Sequence, residues 1–95
     1  MLIEHHADGV RCTLEGHIDT VVSQQLDGEL ATALAEPKPV TLDLSEVTYI
    51  CSAFLRVCLH TAKSVGEGQF HIIGVTPPIK RVFMMAGLAD ILGIE

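Results

Sequence analysis

Between Val40 and Val75 the apolar residues recur at every second position, then every third or fourth, then nearly every position, and few folds accept such a segment. Val40, Leu42 and Leu44 alternate with Thr41 and Asp43, the pattern of a strand with one dry face and one wet face. From Ser52 onward Leu55, Cys58, Leu59, Ala62 and Val65 recur at helical spacing until Gly66 or Gly68 breaks the run. Phe70 to Val75 then reads as a near-continuously apolar strand. Strand, helix and strand in that order form a βαβ unit, whose two strands run parallel with a right-handed crossover. The wet face of the first strand predicts a sheet that is open on one side.

The flanking segments extend this unit. Leu2 to His6 and the alternating Val10, Cys12 and Leu14 lie on either side of Ala7-Asp8-Gly9, a hairpin signal, and Gly16 is expected to end the second strand. Asp19 or Thr20 caps a helix bearing Val22, Leu26, Leu30, Ala33 and Leu34, which stops before Pro37 and makes a similar crossover. Gly28 in its interior costs about 1 kcal/mol relative to Ala, marking either a weak stretch of helix or a close approach to its backbone. A last helix takes Thr76 as cap, Pro77 at its first position, Ile79, Val82, Phe83 and Ala86 as its buried stripe, and Gly87 as its left-handed end. Leu88, Ile91, Leu92 and Ile94 are expected to tuck against the core.

Size and charge remove several functions. A chain of 95 residues supports one core and leaves no room for a separate substrate lobe, so one domain over 1–95 is expected. A net charge of -6 with only six Lys and Arg excludes the basic stripe that nucleic acid requires. No apolar run approaches the roughly 18 residues of a membrane span, and Met1 to His5 lacks the features of a secretion signal, so a cytoplasmic protein without direct membrane insertion is expected. Cys12, Cys51 and Cys58 are odd in number and form no C-x-x-C pair, which excludes a disulfide framework and a four-ligand zinc site. His5 and His6, adjacent on a strand, point to opposite faces, so no metal is expected, and no cofactor motif is present. His60 lies two helical turns from Ser52, about 12 Å along the axis and too far to activate it, and no paired-carboxylate motif offers an alternative. The chain reads as a binding module and not as an enzyme.

The chemistry of that module centres on Ser52. At a helix start the first backbone N–H groups lack intrahelical partners and the macrodipole is positive, so Ser52 either caps the helix or, once phosphorylated, keeps its new charge solvated. A helical wheel directs Ala53, Arg56, Val57 and His60 away from the core, with Phe54 on the flank, leaving apolar surface within a turn of the hydroxyl. On this basis Phe54→Ala weakens partner binding more than folding, unless Phe54 only covers the core edge. Cys51 is either a thiol activated by the helix start or, as the apolar Ile50-Cys51 pair favours, a small buried hydrophobe; Cys12 and Cys58 face inward by periodicity. Lys80-Arg81 forms a solvated face of the last helix or a match for an acidic patch on a partner.

Gly16-His17-Ile18-Asp19, Thr41-Leu42-Asp43-Leu44-Ser45, Ile50-Cys51-Ser52 and Pro78-Ile79-Lys80-Arg81-Val82 leading to Ala86-Gly87-Leu88 stand in the order and spacing of a STAS domain. The chain resembles, over nearly its whole length, the bacterial anti-sigma factor antagonists that carry this fold. The resemblance implies an α/β domain with a mixed four- to five-stranded sheet and helices packed mainly on one face. It also implies a protein that docks onto an anti-sigma serine kinase or another ATPase-type protein, with a homodimer also compatible. The family's phosphorylated serine falls on Ser52, and the Asp that contacts the kinase aligns with Asp19. Together with the residues around the serine, the implied partner-binding set is Asp19, Cys51, Ala53, Phe54, Arg56 and Val57. The family pattern runs Asp, Ser, Ser or Thr, Gly; here Cys51 stands for the Asp, Ala53 for the second hydroxyl and Phe54 for the Gly. The alternative within the family is a subunit that never cycles through phosphate, such as a partner of an ABC-type transporter ATPase or a stressosome-like scaffold, docking through the same helix.

Overall fold

The computed structural model describes residues 1–94. In chain order it contains β1 (Leu2–His6), β2 (Gly9–Ile18), α1 (Thr20–Ala33), β3 (Val40–Ile50), α2 (Ser52–Val65), β4 (Phe70–Ile73) and α3 (Pro77–Met85). The strands form one four-stranded sheet in the order β1-β2-β3-β4. β1 and β2 pair antiparallel across the predicted hairpin, from Leu2 opposite Thr13 to His6 opposite Gly9. β2 with β3 and β3 with β4 are parallel, because α1 and α2 each carry the chain back to the same end of the sheet.

The period-2 pattern decides which face is covered. Val10, Cys12 and Leu14 of β2 and Val40, Leu42 and Leu44 of β3 are buried, and join Leu26, Leu30, Phe54, Cys58, Ile79 and Phe83 from the three helices in one core. The opposite face holds Arg11 and Asp43, whose guanidinium donates to the carboxylate at 3.1 Å. Asp43 also accepts from the Ser45 backbone N–H at 3.0 Å and its hydroxyl at 2.7 Å. The Ser45 donors, with a smaller contribution from Arg11, hold the Asp43 carboxyl below its ordinary value.

Several boundaries and phases differ from expectation. β2 does not stop at Gly16 but continues to Ile18: the pairing with β3 shifts between Thr13 and Glu15 and again between Gly16 and His17. Gly16, at φ 69°, supplies the left-handed conformation this irregularity uses. β4 ends at Ile73 rather than Val75. In α3 the buried stripe reduces to Ile79 and Phe83, and Ala86 is exposed; in the tail Leu92 and Ile94 are buried while Ile91 is 66% exposed. A Cβ built on Gly28 would meet nothing within 4 Å, so close packing does not account for that glycine.

The largest correction falls on α2. Its buried residues are Phe54, Val57, Cys58, Thr61 and Val65, whereas Leu55, Leu59 and Ala62, expected inside, are only half-buried. Phe54 is 0% exposed and Val57 8%, so both belong to the core and neither faces a partner. The physical reason is an apolar arc wider than one stripe: Phe54, Leu55, Val57, Cys58 and Leu59 cover most of the helix circumference, and periodicity alone cannot phase them. Phasing comes from the neighbours, since α2 lies against α1 and presents Phe54 to Phe83 of α3, the rings meeting edge-on with centroids 6.5 Å apart.

Candidate functional site

Two helix starts lie side by side at the carboxyl ends of β2 and β3. Ile18 and Ile50 are register partners, and the chain enters α1 through Asp19 and α2 through Cys51 immediately afterwards. Asp19 is the N-cap of α1, its Oδ1 accepting from the Val22 N–H at 2.9 Å. Ser23, fully buried, donates from its hydroxyl to the Asp19 carbonyl at 2.7 Å and lies 3.7 Å from the Cys51 sulfur. This hydroxyl ties the two helix starts together.

Cys51, not Ser52, is the N-cap of α2: its backbone is extended, with φ -113° and ψ 174°, and its carbonyl accepts from Phe54 and Leu55 at 3.1 and 3.3 Å. Ser52 therefore occupies the first helical position and is exposed. The reading of Ser52 as the capping residue does not hold, because the chain enters helical geometry one residue earlier than a serine cap requires. Its hydroxyl has no hydrogen-bond partner among the described residues, and the residue stands at the positive end of the helix macrodipole.

Cys51 is half-buried, less covered than expected. Burial pushes its thiol up, but the backbone N–H of Phe54, the Ser23 hydroxyl, the backbone N–H of Ala53 and the Thr20 hydroxyl together outweigh it and leave the pKa below the ordinary thiol value. Cys12 and Cys58 are buried as expected, and burial raises both, Cys12 to about 11.

Of the residues grouped by resemblance, the structure brings Asp19, Cys51, Ser52 and Ala53 together at these helix starts, and Arg56 follows on the exposed side of α2. Phe54 and Val57 support this surface from beneath. The half-buried Leu55, one turn after Ser52, is the large apolar side chain left near this hydroxyl, while Leu59 lies about two turns along the helix. Sequence reasoning missed two further contributors. His17 and Tyr49, opposite each other at the ends of β2 and β3, stack at 4.4 Å with an interplanar angle of 26°, and Tyr49 is 45% exposed. An aromatic residue two positions before the helix cap, on the wet face of a strand, was the available signal. Ser23, in the middle of an apolar stripe, was the other omission. No group of three or more potential metal ligands occurs among the described residues.

A mixed sheet covered by helices on one face, with two helix starts meeting at the ends of its parallel strands, defines a one-sided α/β domain with its exposed hydroxyl on the rim. The chain belongs to the STAS family: the family model described as "Mlab, STAS domain" matches residues 1–93. It is 32% identical over 84 residues to BtrV of Bordetella bronchiseptica, provisionally named an anti-sigma factor antagonist, covering 85% of this chain and 72% of that protein. Among solved structures, an anti-sigma factor antagonist from Mycobacterium paratuberculosis superposes with a TM-score of 0.82 at 25% identity, over 96% of this chain and 80% of that one. The anti-sigma factor antagonist SpoIIAA in its unphosphorylated form shares the fold, with a TM-score of 0.81 at 17% identity over 94% of this chain and 82% of that one.

Proposed function

We propose that this protein is an interaction module of the anti-sigma factor antagonist type, which docks an anti-sigma serine kinase or a similar ATPase on the joined starts of α1 and α2 and is released by phosphorylation of Ser52. The observation that carries this reading is the exposed Ser52 at the first position of α2, with the cap Asp19 at the start of the neighbouring helix and the exposed Arg56 one turn further along α2. The helix start stabilises a phosphate in the free protein through its macrodipole. In the complex the same phosphate adds close to two negative charges one turn from half-buried Leu55, where desolvation opposes docking. Turning a mostly bound population into a mostly free one takes about 5.5 kcal/mol of differential affinity, within reach of a phosphate buried at an interface. Asp19 serves as helix cap and as partner contact, and Asp19→Asn separates the roles, since Asn caps equally well without the charge.

The test is incubation with the host's candidate anti-sigma kinases and ATP, followed by intact-mass measurement of wild type and Ser52→Ala. One phosphate on the wild type and none on the variant is the expected result. A phosphate of unchanged yield on Ser52→Ala refutes the assignment.

A second reading is favoured by Cys51 standing where the family pattern places Asp, which removes a carboxylate able to orient the hydroxyl. It keeps the docking surface and drops the phosphate, giving a constitutive subunit of an ABC-type transporter ATPase or of a stressosome-like scaffold. Under that reading no kinase modifies the chain, and Ser52→Glu disrupts the complex because the surface itself is occupied.

A further inference from the structure

α3 buries Ile79 and Phe83 and turns a different face outward. On that face Lys80 stands one turn before Met84 and Arg81 one turn before Met85, giving two parallel cation–methionine columns with Pro77 at their head. These five residues line an open groove of about 460 Å³. Met84 is 59% and Met85 82% exposed, an arrangement that neither core packing nor helix formation requires. Neither cation is neutralised, since the ion pairs among the described residues are His6 with Glu4, Arg11 with Asp43 and His60 with Asp27. Both cations sit in the first half of the helix, whose N-terminal pole is already positive and whose first turn holds no acidic residue. The result is a local positive pole, paired with adaptable apolar side chains, on a chain of net charge -6.

We propose that the outer face of α3 docks an acidic amphipathic helical segment of a partner protein, its carboxylates on Lys80 and Arg81 and its apolar side chains on Met84 and Met85. Charge selects this occupant. An anionic bilayer is held by clusters of about four to eight cations, more than α3 offers. Nucleic acid meets the same objection. A second copy meeting this face about a two-fold axis sets Lys80 and Arg81 against their own like charges. A short acidic segment, by contrast, feels chiefly the local pole, because charges beyond about 8 Å are screened at physiological salt. This surface is separate from Ser52 and stands whichever fate that residue has.

The test uses the full chain with methyl-labelled methionine, titrated with two synthetic helical peptides that share one leucine pattern and differ in carrying Glu or Lys at every polar position. The Glu peptide is expected to shift the Met84 and Met85 methyl signals and leave Met1 unchanged, and the Lys peptide to shift none. Lys80→Glu with Arg81→Glu lowers affinity about tenfold or more, with circular dichroism confirming an unaltered fold. Equal shifts with both peptides, absent shifts, or unchanged affinity in the double variant overturn the proposal. So does a dimer in sedimentation equilibrium that the double variant dissolves, which makes a second copy the occupant. Flotation with phosphatidylserine vesicles that the double variant abolishes assigns the face to lipid and overturns it equally.

Discussion

Phe54→Ala is the substitution on which the geometry of the Ser52 surface depends most directly. The ring is fully buried in the first turn of α2 and meets Phe83 edge-on, so truncation leaves a cavity beneath the helix start and removes an aromatic pair. Phe-to-Ala changes in a core cost about 3–5 kcal/mol, and the pairing alone accounts for about 0.5–1.5 kcal/mol. A domain of this size has roughly 5–15 kcal/mol in total, so the variant is expected to lose a large share of its stability. At about 4–8 °C per kcal/mol the midpoint of thermal unfolding falls by roughly 12–40 °C. Urea unfolding followed by far-ultraviolet circular dichroism measures the loss, with Phe54→Leu as the milder companion. A double-mutant cycle with Phe83→Leu isolates the ring-to-ring contribution. A loss below about 1 kcal/mol for Phe54→Ala would mean that the ring faces solvent, and the docking role that periodicity assigned to it would return.

Two further outcomes follow from the titratable groups. At neutral pH a disulfide-exchange reagent should modify Cys51 well before Cys12 or Cys58, whose thiols are buried and raised; equal rates for all three in the native protein would contradict the packing. The Asp43 carboxyl is depressed in the folded chain, so its contribution is complete above the ordinary carboxylate value of about 4 and is lost as pH falls through the lower folded value. Asp43→Asn should therefore lower stability at neutral pH and flatten the acid limb of the stability curve. An acid limb identical to wild type would remove Asp43 from that account.

Much of the fold was legible because its signals are local. Alternation in Val40 to Leu44, the Asp8-Gly9 turn, Asp19 as cap and Pro77 at the head of α3 each act through the backbone of a few residues, and each occurs where expected. The errors arose where a neighbour decides. β2 runs past Gly16 because β3 continues beside it as far as Ile50, with shifts in pairing absorbing the mismatch. α2 was rotated because its apolar residues fill too wide an arc to indicate which part α1, α3 and the sheet will cover. The candidate site shows the same division. Its hydroxyl at a helix start was visible in the chain, whereas Ser23, His17 and Tyr49 enter through contacts between segments distant in sequence.

The position of Phe54 also limits how a phosphate on Ser52 could act. A switch that moved α2 would have to drag Phe54 away from Phe83 and Cys58 out of the core, at the several kcal/mol that such core disruption costs. Attraction between a phosphate and an exposed helix start amounts to about 0.3–1 kcal/mol, rising to about 2 kcal/mol when partly buried, too little to drive that movement. The helix start is further tied to α1 through Ser23. A phosphate on Ser52 therefore leaves the backbone in place and works at the surface, through its own charge, bulk and hydration. Residues of the partner that meet Ser52 should then set the size of the effect, and a phosphate should leave the amide signals of the sheet and of α3 unshifted while displacing those of the first turns of α1 and α2.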